Sequence, residues 1–284
     1  MSQGMLYLCA TPIGNLGDIT PRCVEILKTA DLIAAEDTRN SIKILNHFDI
    51  HTPMTAYHEF NRFDKADELV RDILSGKTVA CITDAGTPGI SDPGEVLVQK
   101  CVDAGITVTS VPGACAAVNA LVISGLSTRR FRFEAFLPAE KKEREEILSE
   151  IKDDTATLVI YEAPHHLKKT LEDLLKALGD RKIALCKELT KLHESVYRTT
   201  ISEAIAHYEA DPPKGEFVLV IEGRDRAALK EEARASWEEM SIEEHVAFYT
   251  AQGIDRKEAM KLAAKDRGVS KRDIYNALLQ EGES

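Results

Sequence analysis

The chain has no Cys-x-x-Cys pair; its six cysteines, Cys9, Cys23, Cys81, Cys101, Cys115 and Cys186, are scattered. Such spacing supports neither a zinc site nor a disulfide framework, and no metal is expected. Most of the six lie in apolar segments, so they read as reduced, buried, small hydrophobes of a cytoplasmic protein. Apolar runs long enough to cross a bilayer are missing, and the first residues lack a signal peptide's charged and apolar regions. No membrane role is expected. The Walker phosphate-binding sequence is absent, as is the GxGxxG fingerprint, and no acidic residue stands where a nicotinamide ribose would need one. Net positive charge is lacking too. A formal charge of −11 argues against a generic nucleic-acid binder, whose domains usually carry a basic balance.

Basic charge is instead concentrated locally. Residues 256–272 hold Arg256, Lys257, Lys261, Lys265, Arg267, Lys271 and Arg272 against only Glu258 and Asp266. A second spot, Arg129-Arg130-Phe131-Arg132-Phe133, interleaves cations with aromatics.

A length of 284 residues, 44% hydrophobic and 29% charged, suits two ordinary domains plus an appendage. An apolar strand over 6–10 ends in the loop Thr11-Pro12-Ile13-Gly14-Asn15-Leu16-Gly17-Asp18. Thr20 then offers an N-cap and Pro21 the first helical position for a helix over 22–30. Strands at 31–35, 53–56, 78–82 and 107–111 alternate with helices at 38–48, 64–74, 95–104 and 114–124. That order implies a mainly parallel sheet covered on both faces. Residues 125–132, with three arginines, read as a linker, after which the pattern restarts. Strands follow at 132–136, 155–161, 182–186 and 216–222, with helices at 140–151 and 165–178. A charged connector over 224–239 leads to three short helices at 241–251, 256–266 and 271–279. The expected domains are 1–124, 125–223 and 224–284: two of α/β type and a small helical one.

The most informative stretch is Ile82-Thr83-Asp84-Ala85-Gly86-Thr87-Pro88-Gly89-Ile90-Ser91-Asp92-Pro93-Gly94. It carries more turn chemistry than a plain connection of two to six residues needs. Glycine lets backbone approach a ligand closely and proline fixes its path. A loop of this kind at a strand's carboxyl end is where open α/β sheets bind ligands.

Other loops join it in order: 11–18, Glu36-Asp37-Thr38-Arg39, Val111-Pro112-Gly113, Phe136-Leu137-Pro138, Tyr161-Glu162-Ala163-Pro164-His165, Glu188-Leu189-Thr190-Lys191 and Gly215-Glu216-Phe217. The set resembles the tetrapyrrole methylase superfamily of S-adenosylmethionine-dependent enzymes, and within it the branch that modifies small-subunit ribosomal RNA. The resemblance implies two αβα domains of the class III kind with a donor-binding cleft between them, plus the helical tail. It also implies 2′-O-methylation of a cytidine ribose in the decoding region of 16S rRNA, free or in the assembled subunit, by a homodimer. Carried over by position, Gly14, Asp84, Gly86, Thr87, Pro88, Gly89, Ile90, Pro112, Gly113 and Ala114 line the donor site from the first domain. Tyr161, Glu162, Leu189 and Gly215 close it from the second. The chain departs from the family pattern at Ala135, where glycine is usual, and at His166 and Lys187, where arginine is usual. Lys and His meet phosphate as point charges at best, so a guanidinium clamp there is not supported.

For chemistry, Asp37, Arg39 and Glu162 are the candidates, with Asp37 or Glu162 as proton acceptor for the ribose hydroxyl. Asp37 and Arg39 equally suit a plain helix start. His58-Glu59 is either a base pair for the hydroxyl or a surface loop, and Glu188 with Lys191 either positions substrate or forms an ion pair. The tail has helix-turn-helix-like spacing, which suits contact with an RNA backbone or a merely solubilising role. Two rival functions stay open: methylation of a small tetrapyrrole on the same fold, and non-enzymatic RNA binding with a vestigial cleft.

Overall fold

A computed structural model describes residues 4–238 and 240–281 of the chain. The first sheet contains β1 (Met5–Cys9), β2 (Leu32–Ala35), β3 (Met54–Ala56), β4 (Val79–Ile82) and β5 (Thr107–Val111), in the order β3-β2-β4-β1-β5, all parallel. Helices α1 (Pro21–Thr29), α2 (Thr38–His47), α3 (Arg62–Leu74) and α4 (Gly94–Asp103) connect them. Strand side chains alternate between faces. Leu6, Leu8, Val79 and Cys81 pack with Leu69 and Ile73 of α3 and Leu97 of α4. Cys9, Ile33, Ala80 and Ile82 pack with Leu27 of α1 and Leu45 of α2. With both faces covered, the central strands become the short apolar runs that the sequence displays. All six cysteines are free thiols, five of them buried.

α5 (Ala116–Ile123) leads to the second sheet: β6 (Phe131–Phe136), β7 (Thr157–Glu162), β8 (Lys182–Lys187), β9 (Ser195–Thr200) and β10 (Phe217–Ile221). α6 (Lys141–Ile151), α7 (Leu167–Leu178) and α8 (Ile201–Ala210) accompany it. Its order is β6-β7-β10-β8-β9, and here the expectation of a repeated parallel pattern is corrected. Only β6 and β7 are parallel; β10 runs antiparallel between β7 and β8, and β9 pairs antiparallel with β8. The short link from β8 to β9 permits only the antiparallel arrangement, since a parallel crossover needs a dozen residues or more. Sequence reasoning also missed β9 and α8. Ala117, Ala120 and Leu121 of α5 are buried in one cluster with Val159, Ala184, Val218 and Val220 of this sheet. A segment of the first half thereby becomes the cover of the second sheet, and both sheets fall in one compact unit.

The second compact unit comprises Glu150–Thr155 and the chain from Gly223 onward. It contains α9 (Arg226–Glu238), α10 (Ile242–Ala251), α11 (Arg256–Arg267) and α12 (Lys271–Glu281), around Val246, Ala259, Ala263, Ala264 and Ile274. Ser241 caps α10 by accepting from the Glu244 amide, Asp255 caps α11, and Gly268 ends it in the left-handed region. No helix among the described residues is long and apolar enough to cross a membrane.

Candidate active site

Parallel strands bring their carboxyl ends to one edge of a sheet. At that edge the first sheet faces β6, β7, β8 and β10 across a cavity of about 380 Å³. From the first half it is lined by Ile13 after β1, Glu36 after β2, and Thr83, Asp84, Ala85, Gly86 and Thr87 after β4. Ile90, Ser91 and Asp92 follow on the same loop, and Cys115 and Ala116 open α5. The facing wall is Phe136, Tyr161, Glu162, Ala163, Cys186, Leu189, Glu216, Phe217 and Val218.

The glycine- and proline-rich loop is held by its own hydrogen bonds. Thr11 and Gly86 exchange backbone hydrogen bonds of 2.9 and 3.1 Å, and the Thr11 hydroxyl donates to the Thr83 carbonyl at 3.1 Å. Gly86 takes φ +87°, a left-handed value that costs glycine nothing, and a Cβ there would lie 3.2 Å from Cγ2 of Ile13. The Thr87 hydroxyl donates to the Ala114 carbonyl at 2.9 Å. The Asp92 carboxylate accepts from the amides of Gly89, Ile90 and Gly94 at 2.8 to 3.2 Å. Those bonds hold Ser91 at φ +65°.

Most carboxylates on the wall are already committed. Asp84 accepts from the Asp37 amide at 3.1 Å and from Asn40 Nδ2 at 3.3 Å. Glu162 is buried; Oε1 accepts from the Ala163 amide at 2.8 Å and Oε2 from the Thr170 hydroxyl. Thr170 in turn accepts from Arg144 Nη2 at 2.7 Å, and Arg144 pairs with Asp173 at 2.7 Å. Glu216 pairs with Lys191 at 2.8 Å, and Lys191 also reaches Glu188 at 3.0 Å. Glu36 accepts at Oε2 from the Thr83 hydroxyl and from the Asp84 amide at 3.4 Å.

Aromatic packing shapes the second wall. Tyr161 meets Phe133 and Phe136 edge-on, with centroids 5.0 and 5.6 Å apart. Its hydroxyl accepts from the Ala117 amide at 3.1 Å at the start of α5, and burial pushes its pKa up to about 12. Burial likewise pushes the Cys186 thiol up to about 11, so it stays protonated and is no nucleophile at neutral pH.

Of the residues expected from sequence, Asp84, Gly86, Thr87, Ile90, Tyr161, Glu162 and Leu189 line the cavity together. Gly14, Pro88, Gly89, Pro112, Gly113, Ala114 and Gly215 are not among its lining residues. A Cβ on Gly113 would come within 2.6 Å of the Ala10 side chain. Asp37 and Arg39 also do not line it. Asp37 caps α2, accepting from the Arg39 amide at 2.8 Å, and pairs with the Arg39 guanidinium at 2.8 Å. That guanidinium, then the amide, hold the Asp37 carboxyl down at about 2. Sequence reasoning missed Glu36 as a lining group, although it stands directly at a strand end where the carboxyl-end rule points, whereas Thr83 belongs to the loop 82–94 expected to bind the ligand. Phe136 and Phe217 stood in the loop set read from sequence, but neither they nor Val218 was singled out as a lining residue.

The cavity falls within the size range of small-molecule sites. Apolar side chains of Ile13, Ile90, Leu189, Phe217 and Val218 suit a nucleoside base, and Glu36 with Asp84 suits a cation. These features fit S-adenosylmethionine, with its adenine, sulfonium and amino acid; the start of α5 presents peptide N–H groups suited to its carboxylate.

Residues 5–205 match the family of Tetrapyrrole (Corrin/Porphyrin) Methylases. A protein of Halalkalibacterium halodurans named ribosomal RNA small subunit methyltransferase I is 50% identical over 98% of this chain and 96% of its own length. One of the same name from Synechocystis sp. is 45% identical over 98% of each chain. Among solved structures, diphthine synthase superposes with a TM-score of 0.61 over 78% of this chain and 90% of its own, at 14% identity, a likeness of fold alone.

Proposed function

The chain belongs to the tetrapyrrole methylase family, and from that premise we propose that it transfers the methyl group of S-adenosylmethionine to the 2′-oxygen of a cytidine ribose in the decoding region of 16S rRNA. The observation that carries this is the match, over nearly the whole chain and at 50% identity, to a protein named for small-subunit rRNA methylation. The cavity supports it, since its apolar walls and acidic edge suit the sulfonium donor.

Gly86, Thr87, Ile90, Tyr161 and Leu189 are the donor contacts. Asp84, on the same wall, also fixes the start of α2. The donor supplies an electrophilic methyl carbon. What the chain contributes is position: a ribose hydroxyl held in line with that carbon and shielded from water gains most of the acceleration available. Arg39, whose side chain is 88% exposed, is placed to meet an RNA phosphate, with Asp37 aiming its guanidinium.

RNA backbone contact falls to α11. Lys257, Lys261 and Lys265 recur every four residues on one face of the helix, and all three are exposed. Arg267 does not belong to that face. It is half-buried and donates to the Ser241 carbonyl at 3.0 Å and to Nδ1 of His245 at 3.0 Å. A cytoplasmic homodimer completes the proposal, with sedimentation of the purified protein as the check on its oligomeric state. Primer extension at low nucleotide concentration on 16S rRNA from a deletion strain tests the activity. The ribose-methyl stop should vanish and return when the gene is restored. An unchanged pattern would overturn the proposal.

A further inference from the structure

Five carboxylates line the cavity: Glu36, Asp84, Asp92, Glu162 and Glu216. A ribose hydroxyl that accepts a methyl cation must give up its proton, so one acceptor near the reacting oxygen has work to do. Asp84 and Glu162 use both oxygens, and Asp92 binds three backbone amides. Glu216 is neutralised by Lys191 and its side chain is 79% exposed. Glu36 differs. Its bonds from Thr83 and from the Asp84 amide both fall on Oε2, and Oε1 takes no hydrogen bond from the described residues.

We infer that Glu36 is the general base that accepts the 2′-hydroxyl proton, with Thr83 as the residue that positions its carboxylate. The inference rests on the methyltransferase reading above. Glu36 stands at the carboxyl end of β2, next to β4, whose loop carries Gly86 and Thr87. It is half-buried, so it is sheltered yet open to the cavity. The Thr83 hydroxyl anchors Oε2 and leaves the lone pairs of Oε1 directed away from that bond. Asp37, the neighbour in sequence, is spent on capping α2 and on Arg39. In the step itself the 2′-oxygen bonds to the methyl carbon as the S–CH3 bond breaks. The electron pair of that bond stays on sulfur, which becomes a neutral thioether. The hydroxyl proton passes to Oε1 and leaves to water after product release.

The test uses the full chain, radiolabelled S-adenosylmethionine, and small ribosomal subunits from the deletion strain. Glu36→Gln keeps an acceptor for Thr83 but removes the base. It should lower kcat by about 100-fold or more. Donor affinity by calorimetry should fall far less than kcat, and the acidic limb of the kcat–pH profile should disappear. Glu36→Asp should retain part of the rate and keep that limb, which guards against a misfolded Gln variant. Thr83→Ala should lower kcat and move the limb without abolishing it. If Glu36→Gln turns over within about threefold of wild type, or loses donor affinity at unchanged kcat, Glu36 is not the base. If the wild-type chain itself methylates no subunit RNA, the function proposal fails, and that outcome is distinct from any variant result.

Discussion

Gly86 ties the cavity's floor to the loop after β1, and its φ of +87° is one that a side chain resists. Gly86→Ala should cost about 1–2 kcal/mol, from left-handed strain plus the 3.2 Å approach to Ile13. Because the bridge to Thr11 shapes the cavity, the same variant should weaken S-adenosylmethionine binding more than tenfold; thermal unfolding and calorimetry read the two effects separately. A stable variant that binds the donor normally would show that the turn is not needed in this form. At this scale the sequence was partly legible. The density of Gly, Pro, Asp and Thr in 82–94 marked a ligand loop, because few other tasks require so much turn chemistry. It did not tell which groups face the ligand. Asp92 serves the loop's own amides, and a Cβ on Gly113 would meet the Ala10 side chain at 2.6 Å. Glu36 was overshadowed by Asp37 and Arg39, whose charges are more conspicuous in sequence and pair with each other away from the cavity lining.

Among the elements, α10 and α11 share a buried histidine whose state should govern the helical unit. His245 has no exposed side-chain surface and stacks on Trp237 of α9, with centroids 4.0 Å apart and rings within 6° of parallel. Nε of Arg267 donates to its Nδ1 at 3.0 Å, which requires that nitrogen to be unprotonated. Asp266 lies 3.4 Å from Nε2, and Tyr249 stacks nearby while bonding Asp266. Burial and the Arg267 charge lower the His245 pKa, against the opposing pull of Asp266. The folded unit therefore favours neutral His245. Its stabilisation is full above the unfolded value of about 6.5 and is lost as pH falls through the lower folded value. The chain's one tryptophan reports this directly: Trp237 fluorescence should change on acidification with a midpoint below 6.5, and the transition should be absent in His245→Gln. Elements differed in how far their sequence announced them. β2 and β4 are buried on both faces and read as apolar runs. β9 lies at a sheet edge with its residues half or fully exposed, so Ser195-Val196-Tyr197-Arg198-Thr199-Thr200 has no clean alternation. The start of α8 did carry a signal, Thr200 followed by Glu203, and Thr200 accepts from the Glu203 amide. The antiparallel seat of β10 between β7 and β8 left no trace in any local window, because tertiary pairing alone decides it.

For the whole molecule, the proposed function asks a chain of net charge −11 to bind a polyanion without being basic overall. A local cluster of exposed cations on and after α11 solves that, since phosphate contacts act locally and screening limits the reach of the surrounding acidic surface to about 8–10 Å. Arg256, Lys257, Lys261, Lys265 and Arg272 are all exposed there. The unit that holds the cavity is built from residues up to Glu222 apart from 150–155, so the two tasks are separable by truncation. A chain ending at Glu222 should bind S-adenosylmethionine within about threefold of the full-length affinity while losing most of its binding to 16S rRNA. Reversing the stripe, with Lys257→Glu, Lys261→Glu and Lys265→Glu together in the full chain, should weaken RNA binding more at low salt than at high salt. The slope of log K against log salt should then shallow by about two to three units if each lysine neutralises one phosphate. Filter binding over a salt series measures it. An enzyme for a small tetrapyrrole would be indifferent to both changes, so undiminished methylation by the truncated chain would turn the substrate assignment away from RNA.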